Sequence, residues 1–146
     1  MYQVVIIGAG PVGGRLATEL ASRGISTLMI EEHAEIGRPF QCAGLVNPPA
    51  MQMVGLEDTI LQNVDGALIH SPSGIMVPVG KDGRVRTHVV CRKKFDQAVV
   101  AQAMEAGAHL WLLSKPIDAE VVKDGVNVKV EREGEIVDLK CNLLIG

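Results

Sequence analysis

The sequence predicts an α/β fold built on a parallel sheet, and three observations support this. Gly8, Gly10 and Gly13 come directly after an apolar run at residues 4–7. Further along, helical periodicity alternates with short apolar runs, as in parallel sheets with crossover helices. The last part of the chain alternates apolar and polar residues between turn signals, which is typical of antiparallel strands. We therefore expect a Rossmann-like parallel sheet with an antiparallel β-meander crossover and an inserted loop and ribbon.

The glycine motif is typical of parallel sheets that bind FAD or NAD(P). Gly8 lets the chain turn sharply out of the first strand, Gly10 lets the backbone approach a pyrophosphate, and Gly13 lets the next helix lie close to the sheet. That helix is predicted over residues 12–23, and Pro11 suits its entry because the first turn does not need the missing N–H. The unpaired N–H groups at the helix start favour a phosphate.

Glu31 directly follows the second apolar run, residues 28–30. This is the spacing expected for an acid that accepts hydrogen bonds from the ribose hydroxyls of an adenosine. Together with Glu32 it would repel a 2′-phosphate, so NADP is disfavoured. An ordinary βαβ crossover with glycine turns and a surface glutamate is the alternative interpretation.

Composition indicates one compact domain over residues 1–146. The chain is 47% hydrophobic and 21% charged, long enough for one good core. A net charge of -3 and only four aromatic residues argue against nucleic-acid binding. No apolar stretch reaches membrane-spanning length and no signal peptide is recognisable, so a cytoplasmic protein is expected, with a peripheral membrane contact left open.

Cysteine and histidine spacing predicts no metal site. The three cysteines are far apart and form no C-x-x-C pair, which favours reduced thiols over a disulfide or zinc framework. The histidines show no ligand spacing, and each is interpreted as a surface or loop residue. These residues are Cys42, Cys91 and Cys141, and His33, His70, His88 and His109.

The segment from about residue 34 to 89 is predicted to be the inserted loop and ribbon. Turn residues at 37–39 and 47–49 are interpreted as breakers. Residues 64–70 and 75–79 are predicted strands, joined by a Ser-Pro-Ser-Gly turn.

Regular α/β patterning resumes near residue 93. A helix ending at Gly107 and a third parallel strand at residues 110–113 are predicted. A meander follows over about residues 117–140. A separate apolar strand at 142–146 is expected to pair beside the first strand, which would complete a four-stranded parallel core. Because the sequence stops inside that strand, we expect it to be the amino-terminal part of a longer protein and inactive alone.

Several motifs resemble the flavoprotein family that includes the bacterial hydroxybenzoate hydroxylases, and within it the geranylgeranyl reductase branch. The likeness covers nearly the whole chain. The Gly-x-Pro-x-x-Cys stretch and the Arg-x-x-Phe-Asp helix are its more specific parts. The motifs are VIIGAGPVGG at 5–14, TLMIE at 27–31, EIGRPFQC at 35–42, RKKFD at 92–96 and EAGA at 105–108.

The resemblance implies FAD as cofactor and assigns residues to it. The fingerprint would hold the ADP half, and Glu31 would bind the adenosine ribose. Cys42 has two interpretations: a catalytic side chain near the flavin, or a small buried apolar group. The sequence also departs from the family's Cys-Gly-Glu-Gly at this point. The implied cofactor contacts are Gly8, Gly10, Gly13, Gly14, Glu31, Cys42, Ala43, Gly44, Arg92 and Ile117.

The family members reduce isoprenoid double bonds of lipids or pigments through FAD, so the resemblance implies that this is the cofactor-binding part of such an oxidoreductase. Two alternatives stay open. The first is another flavoprotein of the same fold, such as a monooxygenase or a quinone-linked dehydrogenase. The second is a non-enzymatic nucleotide-binding module that uses the same fingerprint.

Overall fold

The structure is a computed structural model that describes residues 1–40, 42–80 and 82–146. The chain divides into two compact units. The first contains Met1–Pro39 and Asp96–Gly146, and the second contains Phe40–Phe95. Gln41, which belongs to the motif at residues 35–42, lies outside the described residues.

The elements follow one another in this order: β1 (Tyr2–Ile7), α1 (Pro11–Ala21), β2 (Thr27–Ile30), β3 (Leu45–Val46), α2 (Pro48–Val54), a 3₁₀ turn (Glu57–Thr59), β4 (Ile60–Val64), β5 (Gly66–His70), β6 (Met76–Gly80), β7 (Thr87–Val90), α3 (Arg92–Glu105), β8 (His109–Trp111), β9 (Ser114–Val122), β10 (Gly125–Arg132) and β11 (Glu135–Ile145).

The first unit is built on one sheet. Within the described residues it has six strands, in the order β8-β2-β1-β11-β10-β9. Strand β1 pairs in parallel with β2 on one side and with the end of β11 on the other, and β8 lies in parallel outside β2. The predicted α/β fold with a four-stranded parallel core is confirmed, including the position of the third strand outside the second.

Apolar residues cover both faces of the parallel strands. Alternate residues of β1 and β2, such as Val4 and Met29, pack with Ala17 of α1 and Val100 of α3. Their neighbours on the other face, such as Val5 and Leu28, pack against Val128 and Val130 of β10. The parallel strands are therefore buried by apolar residues on both faces, as is usual for parallel strands.

Strand β11 differs from the prediction. The sequence pattern predicted a last meander strand separate from an apolar strand at 142–146, but the structure has one continuous strand. Residues up to Cys141 pair antiparallel with β10, and residues from Cys141 onward pair in parallel with β1. The apolar pattern changes along the strand because each half is buried by different neighbours. A change of pattern within one strand looks in the sequence like a boundary between two strands.

The second unit contains two small sheets. Strands β3, β7 and β4 form the first, and the hairpin of β5 and β6 forms the second. The predicted ribbon is confirmed, since residues 66–70 pair with 76–80 through the expected turn. Strands β3, β4 and β7 had no counterpart in the prediction.

The interpretation of residues 47–49 as breakers was wrong, because they begin helix α2. The Asn47 Oδ1 atom accepts a hydrogen bond from the Ala50 N–H at 2.9 Å and caps the helix. Pro48 and Pro49 occupy its first two positions, where a helix has no use for their missing N–H groups. Gly55, in the left-handed region at φ 65°, ends it.

Candidate nucleotide site

The glycine loop joins β1 to α1 at the carboxyl edge of the parallel strands. Gly8 adopts φ 95°, a conformation that favours glycine, and its N–H donates to the Ile30 carbonyl at 2.8 Å. The strand order also reverses here, since β2 follows β1 on one side and β11 returns on the other. Ligands of open α/β sheets bind at such a reversal point.

Gly10 and Gly13 have different surroundings. Gly10 caps α1 in an extended conformation, and a Cβ added there would meet no atom within 4 Å. A Cβ on Gly13 would lie 2.1 Å from the Gly8 carbonyl oxygen. Gly13 therefore allows the tight packing of the loop on itself, whereas Gly10 leaves open space beside the helix start.

That open space suits a pyrophosphate. The first amides of α1 have no carbonyl partner one turn earlier, and the helix dipole makes this end positive. No acidic residue lies in the first helical turn to oppose an anion. The glycine loop thus fits the phosphate cradle that the sequence predicts.

Gly14 has packing contacts inside the unit. It is buried, and a Cβ added there would lie 3.0 Å from the Val99 Cγ1 atom and 3.3 Å from the Val100 Cγ2 atom. The small residue lets α1 approach α3 closely. Its implied contact with the cofactor stays a prediction.

Glu31 follows β2 at the same edge, and its carboxylate is held from two directions. Its Oε2 atom accepts the Ala9 N–H at 3.1 Å. Its Oε1 atom accepts the His33 N–H at 3.0 Å and lies 2.6 Å from the His33 Nδ1 atom. With 14% of its side chain exposed, the Glu31 carboxylate is held in a fixed orientation and remains accessible from solvent.

The electrostatics keep Glu31 ionised. Burial raises the pKa of its carboxyl group, but the hydrogen bonds from His33 and Ala9 lower it by more, so this pKa lies below the ordinary glutamate value. An ionised carboxylate accepts hydrogen bonds only, which is the property that a ribose diol requires. Glu32 next to it is exposed.

His33 is the residue of this site that the sequence analysis missed. It was interpreted as a surface or loop histidine without a chemical role, whereas its backbone and ring both contact the Glu31 carboxylate. Its position two residues after Glu31 was the available signal, because a side chain that close to the end of the strand can reach the Glu31 carboxylate.

The backbone around Glu31 is tied to the strand beyond β2. The Glu31 N–H donates to the Trp111 carbonyl at 2.8 Å, and the Ser114 N–H donates to the Glu31 carbonyl at 2.9 Å. Leu113, between these partners, adopts φ 50°. Ile117 lies further on, exposed within β9, and its implied contact with the adenine stays a prediction.

The residues implied to lie near the flavin belong to the second unit. Cys42 and Ala43 are exposed. Gly44 is buried at φ 75°, and a Cβ there would lie 2.3 Å from the Val90 carbonyl oxygen, so this position requires glycine. Arg92 is the first residue of α3. The roles of these four residues stay predictions.

The described residues contain no candidate membrane span and no candidate metal cluster. No helix there combines the length and the apolar character needed to cross a bilayer. No group of three or more His, Cys, Asp or Glu side chains is arranged there to hold a metal ion.

Comparison with known proteins identifies the family. The model of the FAD binding domain family matches residues 1–146. The chain belongs to this family. Its cofactor is FAD, as the resemblance implied.

Curated relatives of this chain include digeranylgeranylglycerophospholipid reductases of several organisms. That of Picrophilus torridus is 37% identical over 99% of this chain, which covers 38% of that relative. That of Methanocaldococcus jannaschii is 36% identical over the whole of this chain, which covers 37% of it. The chain therefore spans well under half the length of these relatives.

Solved structures of other proteins share the fold of this chain. A geranylgeranyl bacteriochlorophyll reductase-like protein from Thermoplasma acidophilum has a TM-score of 0.85 and 31% identity, over 98% of this chain and 38% of that protein. Aklavinone-11 hydroxylase, solved with FAD and aklavinone, has a TM-score of 0.75 at 19% identity, over 99% of this chain and 32% of that one, and shows the fold alone.

The lowered pKa of Glu31 leads to a pH prediction. A carboxyl whose pKa is lower in the folded state stabilises the fold above its unfolded pKa, and this contribution is lost as the pH falls through the folded value. Between about pH 5 and about pH 3, Glu31→Gln should therefore lose less stability than the parent protein. Urea titrations across this range measure the difference.

The control for this experiment is Glu32→Gln, which removes the neighbouring exposed carboxylate and should follow the parent protein. If Glu31→Gln loses as much stability on acidification as the parent, the hydrogen bonds to its carboxylate contribute nothing to folding.

Proposed function

We propose that the protein containing this chain is an FAD-dependent oxidoreductase that reduces isoprenoid double bonds of lipids or pigments. The observation that carries the proposal is the joint presence of an open phosphate cradle at Gly10 and an oriented, ionised acid at Glu31. The names of the relatives supply the substrate class, a geranylgeranyl-bearing lipid.

The residues of the first unit fit the ADP half of FAD. The start of α1 would hold the pyrophosphate through its amides, and Glu31 would accept the ribose hydroxyls. The bound flavin supplies the redox chemistry, and the protein orients it and adjusts its electronics. In this proposal Cys42, Ala43, Gly44 and Arg92 contact the flavin side.

The apolar substrate also suggests a location. We propose a cytoplasmic protein that reaches its lipid substrate by peripheral contact with a membrane. Sedimentation with vesicles that contain a geranylgeranylated lipid, compared with vesicles that lack it, measures this contact.

Ligand titrations and an activity assay test the proposal on the full-length protein. FAD should bind more tightly than NAD, and NADP most weakly, because Glu31 and Glu32 together repel a 2′-phosphate. The chemically reduced holoprotein, mixed anaerobically with a geranylgeranylated glycerophospholipid, should return to the oxidised flavin spectrum as the lipid gains hydrogen. Tightest binding of NADP would contradict the cofactor assignment, and an unchanged lipid would contradict the substrate class.

A hydroxylase is the second candidate. Anhydrotetracycline hydroxylase, OxyS, from Streptomyces rimosus matches this chain with a TM-score of 0.78 at 29% identity, over 98% of this chain and 30% of that protein. A hydroxylase consumes oxygen in step with product formation, whereas a double-bond reductase turns over without oxygen. The anaerobic assay therefore separates the two.

A further inference from the structure

We propose that the His33 ring competes with the adenosine ribose for Glu31 and must leave the carboxylate when a nucleotide binds. This rests on the proposed function of the site as an adenosine site. The observation is that the ring Nδ1 atom lies 2.6 Å from Glu31 Oε1, which already accepts a backbone N–H.

The carboxylate of Glu31 has too few acceptor positions to bind the His33 ring and the ribose diol at the same time. A carboxylate has about four lone-pair positions in its plane. Backbone N–H groups of Ala9 and His33 take two of them, and the His33 ring takes a third. A ribose diol that donates two hydrogen bonds needs two positions, and one remains. One of the three present donors therefore has to give way.

The backbone donors are held in place, so the ring is the donor that leaves. The Ala9 N–H lies in the glycine loop, which the Gly8 N–H ties to the Ile30 carbonyl. The carbonyl of His33 accepts the Leu113 N–H at 3.3 Å, which fixes this backbone. The His33 side chain is 42% exposed and can turn about its own torsions into solvent.

Removing the ring should therefore tighten the binding of a nucleotide that carries the diol. A hydrogen bond that no longer has to be broken is worth a modest net free energy, so His33→Ala should bind ADP about three- to tenfold more tightly. The gain should vanish for 2′,3′-dideoxy-ADP, which has no hydroxyl groups to compete for Glu31. A purely structural role of the ring would change the affinity for both nucleotides equally.

Calorimetry of the full-length protein, freed of flavin, measures the affinities of the parent and of His33→Ala for the two probes, ADP and 2′,3′-dideoxy-ADP. The matched control is His70→Ala, which removes an exposed histidine from β5 and should leave both affinities unchanged. Equal weakening of both probes in His33→Ala would overturn competition in favour of contact with the adenine, and unchanged affinities would overturn it as well. If the parent protein binds neither probe, the adenosine site itself is wrong and the competition fails with it.

Discussion

Gly10→Val is expected to abolish FAD retention while leaving the fold intact. A Cβ added at this position would meet no protein atom within 4 Å apart from its chain neighbours, and the backbone angle of φ -80° is one that any residue adopts. In the proposed site the pyrophosphate approaches the helix start through this open space, so a valine there would exclude it. The purified full-length variant should be colourless, with a far-ultraviolet circular dichroism spectrum like that of the parent protein.

The size of this effect follows from how the proposed site would hold FAD. Loss of the pyrophosphate contacts would remove several charge-assisted hydrogen bonds together, and each is worth about 1.5–3 kcal/mol. A drop in affinity of about a thousandfold or more is therefore expected. Gly10→Ala should fall between valine and the parent, because its methyl group is smaller.

Ala119→Val is the matched control for Gly10→Val, since it adds bulk at an exposed position of β9. It should retain flavin and stability. If Gly10→Val is yellow and folded, the phosphate loop has been assigned to the wrong residues. If it is unfolded, the open space beside Gly10 has been misjudged.

The glycine loop and Glu31 could be predicted from the sequence because both are local. Each glycine is required by the turn within a few residues of it, and the spacing to Glu31 is set by one strand, one helix and the next strand. The position of β8 could be predicted for a different reason, because the inserted unit separates it from β2 in sequence. The chain returns to the sheet through α3, and parallel strands that follow one another in an α/β sheet are usually neighbours.

The missed features depend on neighbours that are distant in sequence. The two halves of β11 are buried by β10 and by β1, and the alternation of residues 135–145 says nothing about which partner comes where. Asn47 with two prolines is compatible with a turn and with a helix start, and only the cap at Ala50 distinguishes them. The contact between the His33 ring and Glu31 is local, but it also requires one particular rotamer of His33, and the spacing of two residues alone does not specify that rotamer.

Gly13→Ala is expected to have the opposite outcome from Gly10→Ala, because it should destabilise the fold itself. The added Cβ would lie 2.1 Å from the Gly8 carbonyl oxygen and 3.3 Å from the Ile6 Cγ2 atom. The nearer atom is backbone, and it cannot move away easily because the Gly8 N–H is bonded to the Ile30 carbonyl of β2. The helix would have to tilt away from the sheet, and overpacking of this kind costs about 3 kcal/mol.

Chemical denaturation of the two alanine variants tests this contrast. Gly13→Ala should unfold at a clearly lower urea concentration than the parent, whereas Gly10→Ala should stay close to it, since a methyl group there meets nothing and alanine restricts the unfolded chain. Gly13→Ala should also lose flavin, but as a result of the displaced helix, so saturating FAD should restore part of its stability. Equal stability of the two variants would mean that the close contact between Gly13 and Gly8 is absent, and the division of roles between the two glycines would then be wrong.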